Sequence, residues 1–316
     1  KLHVSKECSS SMASLNVLVS GASGLIGRNL ISLLRSKGHN VVSLVRRNPI
    51  SKNEVFWDPY AKVLNKKDLE ERSINAVVNL SGESIAALRW TEDKKRRVIE
   101  SRVKTTDLLA RTIAELPQRP SVFVSASGVG FYGDQGDTLC NEETSSGGGF
   151  LAQVSREWER ATKPAADSGV RVAVLRIAPV LTSKGGLLQQ VLLPFKLGLG
   201  GPLGNGMQYF SWISLDDVIN AFYFAIVTPG LTGPANTCSP NPVTNLVYTR
   251  ALGKVLGRPT LIPAPAFALK ALLGEMAEEL MLSSTRAIPS KLQQAGFLFK
   301  YPDVYEALRH AVVEGG

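Results

Sequence analysis

The chain has 316 residues, of which 44% are hydrophobic and 20% charged, and its 36 Lys and Arg against 27 Asp and Glu give a formal net charge of +9. This composition is typical of a globular protein and excludes a disordered or fibrous one. No apolar run reaches the roughly 18 to 20 residues that a membrane-spanning helix requires. The sequence therefore predicts a soluble protein and leaves peripheral association with a membrane open.

Histidine and cysteine limit the chemistry that the chain can perform. The three histidines are far apart in the sequence: His3, His39 and His310. None stands beside a candidate nucleophile or has the spacing of metal ligands, so we predict neither a histidine-based triad nor a metal site. Three widely spaced cysteines, Cys8, Cys140 and Cys238, indicate neither a disulfide framework nor paired zinc ligands, and they favour a reducing compartment.

The first 14 residues, KLHVSKECSSSMAS, are basic, rich in serine and nearly free of acid. Transit peptides share this composition. The segment is therefore interpreted as a transit-peptide remnant, which predicts an organelle such as a plastid or mitochondrion. The alternative is a flexible terminus without a targeting role.

From residue 15 onward, short runs of Val, Leu and Ile alternate with amphipathic stretches. Strands are predicted at 15–20, 41–45, 76–80, 122–125 and 170–177, and helices at 25–36, 91–115 and 151–166. Continuous apolar strands separated by helices are typical of a parallel sheet covered on both faces. The sequence therefore predicts an α/β fold with a Rossmann-type doubly wound parallel sheet.

After residue 177 the sequence becomes rich in Gly and Pro, most clearly at 198–206, and helices are predicted at 218–227 and around 267–281. We interpret this part as a smaller lobe over the carboxyl edge of the sheet. The predicted organisation is a tail at 1–14, a Rossmann domain at 15–180, and a C-terminal lobe at 181–316 with some segments returning to the sheet.

Three glycines, Gly21, Gly24 and Gly27, follow the first predicted strand, and helical spacing begins after them. They suit a tight turn, close approach of the backbone to a pyrophosphate, and close packing of a helix on a strand. The helix N-terminus would present free N–H groups and the positive end of its dipole to the phosphates. This context favours dinucleotide binding over an ordinary turn.

The end of the second predicted strand distinguishes NADP from NAD. An acidic residue there would hold the ribose 2′-hydroxyl of NAD, whereas a basic residue would accept the 2′-phosphate of NADP. The sequence has Arg46 and Arg47 and no carboxylate at this point. Because the arginine fork can hold phosphate oxygens in pairs, we predict NADP(H), with a solvated basic turn as the alternative.

The glycine spacing resembles that of the extended short-chain dehydrogenase/reductase superfamily. Several segments resemble its atypical epimerase-family branch, which includes bacterial YfcH-type proteins and the plant plastid SulA-like (Giant Chloroplast) division proteins. These segments are VVNLSGE at 77–83, RW at 89–90, ESRV at 100–103, VSASGVGFYG at 124–133, LPFKLGLGGPLG at 193–204, FSWISLDD at 210–217 and PAPAFALKALLGE at 263–275. The resemblance covers about residues 15–312.

The resemblance implies which residues hold NADP(H). Those at the pyrophosphate would be Gly21, Ser23, Gly24, Leu25, Ile26 and Gly27, and those at the 2′-phosphate would be Arg46 and Arg47. The remaining contacts would be Leu80, Ser81 and Gly82 along the riboses, Arg102 as a further polar contact, and Val180 near the nicotinamide. Without the resemblance, Arg102 would be interpreted as part of a solvated basic helix face.

Catalysis in the superfamily depends on a Tyr-x-x-x-Lys pair, and here the sequence departs from that pattern. At the expected place, Phe150 stands for the tyrosine and Val154 for the lysine, and neither can transfer a proton. Tyr132, which follows the strand that carries Ser127, is the candidate substitute. We expect Tyr132 as the proton donor and Ser127 as the positioning group, or else a packed tyrosine and a serine that caps a turn.

Two classes of function follow. The first is an NADP(H)-dependent oxidoreductase or sugar-nucleotide epimerase-like enzyme that acts on an unidentified small substrate. The second is a catalytically inactive NADP-binding scaffold or regulator in plastid or cell division or in a larger assembly, with protein partners in a plastid assembly. The six basic residues between 94 and 104 have no aromatic residues among them, so no nucleic-acid partner is predicted. The expected location is the plastid stroma or inner-envelope surface, with mitochondrion or cytoplasm as alternatives.

Overall fold

A computed structural model describes residues 13–86 and 89–314. Residues 1–12, which include His3, Cys8 and most of the predicted targeting tail, lie outside the described residues. Cys140 and Cys238 are buried free thiols.

The described chain contains strands of two to seven residues. They are β1 (Asn16–Ser20), β2 (Asn40–Val45), β3 (Glu54–Asp58), β4 (Val63–Leu64), β5 (Ala76–Asn79), β6 (Val122–Gly128), β7 (Leu139–Cys140), β8 (Arg171–Ile177), β9 (Val180–Leu181), β10 (Tyr209–Phe210), β11 (Ile213–Ser214), β12 (Gly233–Thr237), β13 (Val243–Thr244) and β14 (Arg286–Ala287).

The helices connect and cover these strands. They are α1 (Leu25–Ser36), α2 (Lys66–Glu70), α3 (Glu92–Ala114), α4 (Phe150–Arg160), α5 (Lys163–Asp167), α6 (Gly186–Lys196), α7 (Leu215–Val227), α8 (Asn245–Leu256), α9 (Ala266–Leu273), α10 (Glu275–Ala277), α11 (Ser290–Gln294) and α12 (Val304–Arg309). Single 3₁₀ or π-helical turns occur at Val129–Tyr132, Glu278–Leu282 and His310–Glu314.

Eight strands form one sheet, in the order β12-β8-β6-β5-β1-β2-β3-β4. Leu18 in β1 pairs with Val42 on one side and with Val77 on the other, and both pairings are parallel. In this sheet β4 alone runs antiparallel to its neighbour, β3. The order of the strands reverses at β1, and ligands of such sheets bind beside that reversal at the carboxyl edge. The predicted α/β fold with a large parallel sheet is confirmed.

The two faces of the sheet bury separate apolar layers. On one face, Val17 and Val124 pack with Leu30 of α1 and Phe222 of α7. On the other face, Leu18 and Val77 pack with apolar residues of α3, such as Leu109 and Ile113. Alternate side chains of each strand therefore point into opposite cores, as the unbroken apolar runs of a doubly covered sheet require.

Several elements differ from those predicted. The helix expected at 151–166 is two helices, α4 and α5, with Pro164 in the first turn of the second. The helix expected at 267–281 is interrupted at Gly274, whose φ of 61° lies in the left-handed region. Strands β3 and β12 were not predicted. The small and polar sequence of β12, GPANT, carries no apolar run although its last three residues are buried.

The part of the chain after residue 180 contributes to both regions of the molecule. Strand β12 and helix α7 belong to the sheet and its covering layer. The helices α6, α8 and α12 instead surround a third apolar cluster around Trp212, which is fully buried. Ser214 caps α7: its Oγ accepts from Asp217 N at 3.0 Å and donates to Asp217 Oδ2 at 2.7 Å.

In the part of the chain that the structure describes, every helix is too short or too polar to cross a lipid bilayer.

Candidate cofactor site

The glycine loop between β1 and α1 is built so that its backbone packs closely on the neighbouring strand. Gly21 has a φ of 68°, and a Cβ on it would lie 2.5 Å from the carbonyl oxygen of Leu80. A Cβ on Gly27 would lie 2.2 Å from the carbonyl oxygen of Gly21. Both positions therefore require glycine, for conformation at the first and for space at both.

Helix α1 begins without a cap from its own side chains. Gly24 occupies the N-cap position and makes no side-chain hydrogen bond, and the first turn contains no acidic residue. The N–H groups of Leu25, Ile26 and Gly27 have no acceptor within the helix, since the ladder starts one turn later. Together with the helix dipole and the exposed Ser23, they form a site that fits a phosphate.

The two arginines after β2 have different surroundings. Arg47 donates to Glu54 through Nη1 at 2.9 Å and Nη2 at 2.6 Å, and Nη1 also reaches the carbonyl of Asn48. This pair lowers the pKa of the Glu54 carboxyl. Arg46 is exposed and makes no hydrogen bond or ion pair with the described residues. The prediction treated the two as equivalent, whereas the structure leaves only Arg46 free.

The strip after β5 is aligned with the glycine loop by a buried polar network. Ser20 Oγ donates to Asn79 Oδ1 at 2.6 Å and accepts from Ser81 Oγ at 2.9 Å. Asn79 in turn donates to Thr106 of α3 at 2.7 Å. These bonds fix the carboxyl ends of β1 and β5 side by side, so that Leu80, Ser81 and Gly82 lie next to Gly21.

Arg102 of α3 is largely buried but is not paired with a carboxylate. Its Nη1 donates to the carbonyls of Glu83 at 2.9 Å and Val98 at 3.1 Å. The guanidinium also lies over the ring of Trp158, 5.0 Å from its centroid. A Cβ on Gly82 would approach the guanidinium carbon to 3.2 Å. Burial lowers the pKa of Arg102 to about 10, so the group is still charged at neutral pH.

Val180 lies in β9, three residues after the carboxyl end of β8. Strand β9 pairs in parallel with β11, with Val180 opposite Ile213. The segment that follows passes close to the glycine loop, since a Cβ on Gly185 would lie 3.6 Å from the Leu25 side chain. The predicted cofactor residues thus follow the carboxyl ends of β1, β2 and β5, apart from Arg102, which lies in α3, and Val180, which begins β9.

Ser127 lies near the carboxyl end of β6, and its hydroxyl is engaged. It donates to Glu159 Oε1 at 2.8 Å, and the same carboxylate binds Arg176 through Nε at 2.8 Å and Nη2 at 2.9 Å. Ser127 is 3% exposed. Because its proton is committed to a carboxylate, the Ser127 oxygen can act only as a hydrogen-bond acceptor towards other groups.

The structure does not support the predicted catalytic role of Tyr132. The side chain has no exposed surface, and its hydroxyl accepts from Arg176 Nη1 at 3.0 Å. The hydroxyl lies 2.8 Å from two acceptors, the Asn141 carbonyl and Asn236 Oδ1. Burial raises the pKa of Tyr132 to about 12. A group that is enclosed and this weakly acidic is a poor proton donor at neutral pH, so the tyrosine is part of the core.

The position at which the sequence resemblance would place a Tyr-Lys pair is apolar in three dimensions as well. Phe150 and Val154 begin α4 and pack with Val98 of α3, and Trp90 contacts the Phe150 ring edge-on with centroids 4.9 Å apart. The N–H groups of Phe150 and Leu151 donate to Glu279, at 2.6 and 2.7 Å. The start of α4 is therefore closed by the C-terminal segment.

Three glutamates of this region were missed by sequence reasoning. Glu54 follows Arg46 and Arg47 by fewer than ten residues, and Glu159 lies in a helix that precedes the strand of Arg176, but nothing in the sequence pairs these glutamates with the arginines. Glu279 lies more than 100 residues from the helix that it caps, so no spacing rule could have found it. Among residues 13–86 and 89–314 there is no group of three His, Cys, Asp or Glu side chains that could hold a metal ion.

Comparison with known proteins agrees with this geometry. Residues 17–235 match the model of the NAD dependent epimerase/dehydratase family, and residues 264–311 match a domain of unknown function, DUF1731. The chain belongs to the NAD-dependent epimerase/dehydratase family. This confirms the predicted dependence on a nicotinamide dinucleotide at the level of the family.

Individual relatives extend over nearly the whole chain. An epimerase family protein of Mycobacterium bovis is 42% identical over 305 residues, which is 96% of this chain and 100% of the relative. The chloroplastic SDR39U1 homolog of Arabidopsis thaliana is 39% identical, with 96% of this chain and 88% of the relative covered. The crystal structure of human epimerase family protein SDR39U1 with NADPH has a TM-score of 0.85 and 31% identity, and covers 94% of this chain and 99% of the other.

Proposed function

We propose that this protein binds NADP(H) and uses it for hydride transfer with a small substrate, as an oxidoreductase or a nucleotide-sugar epimerase-like enzyme. The observation that carries the proposal is the uncapped N-terminus of α1 behind Gly21, Gly24 and Gly27. The human relative that was crystallised with NADPH supports the same cofactor.

The described residues fit NADP(H) in two further respects. Arg46 is a free cation at the end of β2, where the 2′-phosphate of NADP is held in Rossmann folds. Arg102 makes no ion pair with a carboxylate, the charge of Glu83 compensates its burial only in part, and a bound anion would stabilise it further. The phosphates of the cofactor would compensate the charge of Arg102, with Leu80, Ser81, Gly82 and Val180 alongside.

The cofactor would supply the hydride chemistry, and the protein would bind the cofactor and the substrate and orient them for the transfer. Ser127 would accept a hydrogen bond from a substrate hydroxyl, since its own proton is donated to Glu159. The described side chains at the start of α4 supply no proton donor, because Phe150 and Val154 are apolar. We therefore expect proton exchange with water or with a group of the substrate itself, and slow turnover.

Turnover tests this proposal. Purified protein is incubated with NADPH and a panel of carbonyl compounds, and NADPH oxidation is followed by absorbance. Separately it is incubated with NADP⁺ and a panel of nucleotide sugars, and the epimers are separated by chromatography, because epimerisation returns the hydride and leaves no net change in the cofactor. The matched variants are Gly27→Ala, whose Cβ would meet the Gly21 carbonyl, and Gly148→Ala, whose Cβ would meet nothing within 4 Å. We expect turnover in the wild type and Gly148→Ala and its loss in Gly27→Ala. Absence of turnover with every substrate would contradict the enzymatic part of the proposal.

The apolar start of α4 favours a second function, an NADP-binding scaffold or regulator without catalysis. The sequence resemblance to plastid division proteins suggests a plastid assembly as its setting, and the chloroplastic name of the Arabidopsis relative supports a plastid location. Relatives also occur in bacteria and mammals, so the location is specific to a lineage rather than to the family. Co-purification distinguishes the two functions: a monodisperse protein with no stable partner and measurable NADPH oxidation would exclude the scaffold.

A further inference from the structure

Glu54 is an unexpected acidic group beside the predicted 2′-phosphate site. It is the first residue of β3, which is paired in parallel with β2 so that Glu54 lies level with Ser43. The loop between the two strands carries Arg46 and Arg47 and returns to Glu54 after eight residues. A carboxylate so close to a site for a doubly charged phosphate would oppose the binding of that phosphate.

Three hydrogen bonds hold the Glu54 carboxylate in place. Two come from Arg47, and the third comes from the backbone N–H of Ile50 at 2.8 Å. The Glu54 side chain is 16% exposed, compared with 51% for Arg47. The carboxylate is therefore anchored to the loop, and Arg47 is the more exposed partner of the pair.

We infer that Glu54 is a specificity-determining residue: it neutralises Arg47 and so limits the preference of the site for NADPH over NADH. Arg46 is then the arginine that distinguishes the 2′-phosphate from the 2′-hydroxyl. This inference rests on the proposed binding of NADP(H). The two guanidinium nitrogens of Arg47 that could bind two phosphate oxygens donate instead to the Glu54 carboxylate. Arg47 can therefore contribute its full charge to binding of the 2′-phosphate only when the Glu54 carboxylate is removed.

The test is a fluorescence titration of NADPH and NADH against four proteins: wild type, Glu54→Gln, Arg47→Gln and the double variant. Glutamine keeps the shape of Glu54 and can still accept from Ile50 N, but it removes the charge. We expect Glu54→Gln to bind NADPH about threefold to tenfold more tightly, with NADH affinity unchanged. Arg47→Gln leaves the Glu54 charge unpaired and should weaken NADPH binding, while the double variant should return close to wild type.

Glu306→Gln is the matched control, because Glu306 also pairs with an arginine, Arg309, but in α12 at the far end of the chain. It makes the same change in net charge and should leave both affinities unchanged. Weaker NADPH binding by Glu54→Gln would show that Glu54 positions Arg47 as a ligand, and an unchanged ratio would show no influence; either result overturns the inference. Failure of the proposed function would look different, because the wild type itself would then show no preference for NADPH.

Discussion

Arg176 of β8 and Glu159 of α4 form a bidentate ion pair. The Arg176 Nε donates to Glu159 Oε1 at 2.8 Å, and Nη2 donates to Oε2 at 2.9 Å. Their side chains are only 4% and 16% exposed. Ser127 and Tyr132 bind to the same pair, so the two residues predicted to be catalytic are joined by a buried charged network. The network explains why Tyr132 is fixed in the core.

The first prediction concerns this ion pair. Glu159→Gln leaves the buried Arg176 charge uncompensated, and breaking a buried pair in this way costs about 3 to 5 kcal/mol. We expect the free energy of unfolding in urea to fall by that amount. The control is Asp167→Asn, which removes an exposed pair with Lys163 and should cost less than about 1 kcal/mol. Equal effects of the two substitutions would contradict the structural role of the pair.

The second prediction concerns the hydroxyl of Tyr132. Tyr132→Phe removes the acceptor for Arg176 and the donor to Asn236 or Asn141, and unpaired buried polar groups cost about 1 to 3 kcal/mol. We expect lower stability in urea, whereas the NADPH dissociation constant and any turnover per folded molecule stay within about twofold of wild type, a margin smaller than one hydrogen bond. A loss of turnover without a loss of stability would restore the catalytic role.

The third prediction is a dependence of stability on alkaline pH. The pKa of Tyr132 is raised to about 12 in the folded protein, and an unfolded tyrosine ionises near pH 10. Between these values the unfolded chain binds fewer protons, so the free energy of unfolding falls as pH rises, by about 1.4 kcal/mol per pH unit for this group. The contribution is complete below pH 10. Unfolding curves from pH 9 to 11.5 should decline less steeply in Tyr132→Phe; parallel declines would contradict the assignment.

The fourth prediction separates binding from stability at Arg102. Arg102→Met removes a charge whose burial is unfavourable, but also two hydrogen bonds to backbone carbonyls and the contact with Trp158, so stability without cofactor should fall by only about 1 to 3 kcal/mol. NADPH affinity should fall about tenfold, the effect of losing one charge-assisted hydrogen bond. Arg96→Met, at a 67% exposed position of the same helix, is the control and should change neither property. Unchanged NADPH affinity in Arg102→Met would exclude Arg102 from the cofactor site.

Much of the sheet was predictable because most of its long strands coincide with short apolar runs in the sequence. β1, β5 and β8 are short apolar runs, and the bounds of α1 agree with those predicted. β12 was not predictable in this way, because its stability comes from Asn236 and its partners across the chain: Asn236 N donates to Glu142, and its amide donates to the Ile288 carbonyl.

The candidate site was predictable to the same limited extent. The glycine loop has a fixed spacing between an apolar strand and an amphipathic helix, so sequence alone located it. The sequence left Tyr132 open between a catalytic and a packed residue, because it places Tyr132 near the sheet edge but does not show that Arg176 and Asn236 enclose its hydroxyl. The difference between Arg46 and Arg47 likewise depends on Glu54, whose distance from Arg47 is set by the pairing of β3 with β2.

The most direct test of whether Arg46 selects NADP(H) compares the dissociation constants of NADPH and NADH for the wild type and for Arg46→Gln. We expect the wild type to bind NADPH at least about tenfold more tightly than NADH, which is the value of one charge-assisted contact to the 2′-phosphate. Arg46→Gln should lose most of this difference without a change in NADH affinity. Equal affinity of the wild type for the two cofactors, or a preference that survives Arg46→Gln, would contradict this role of Arg46.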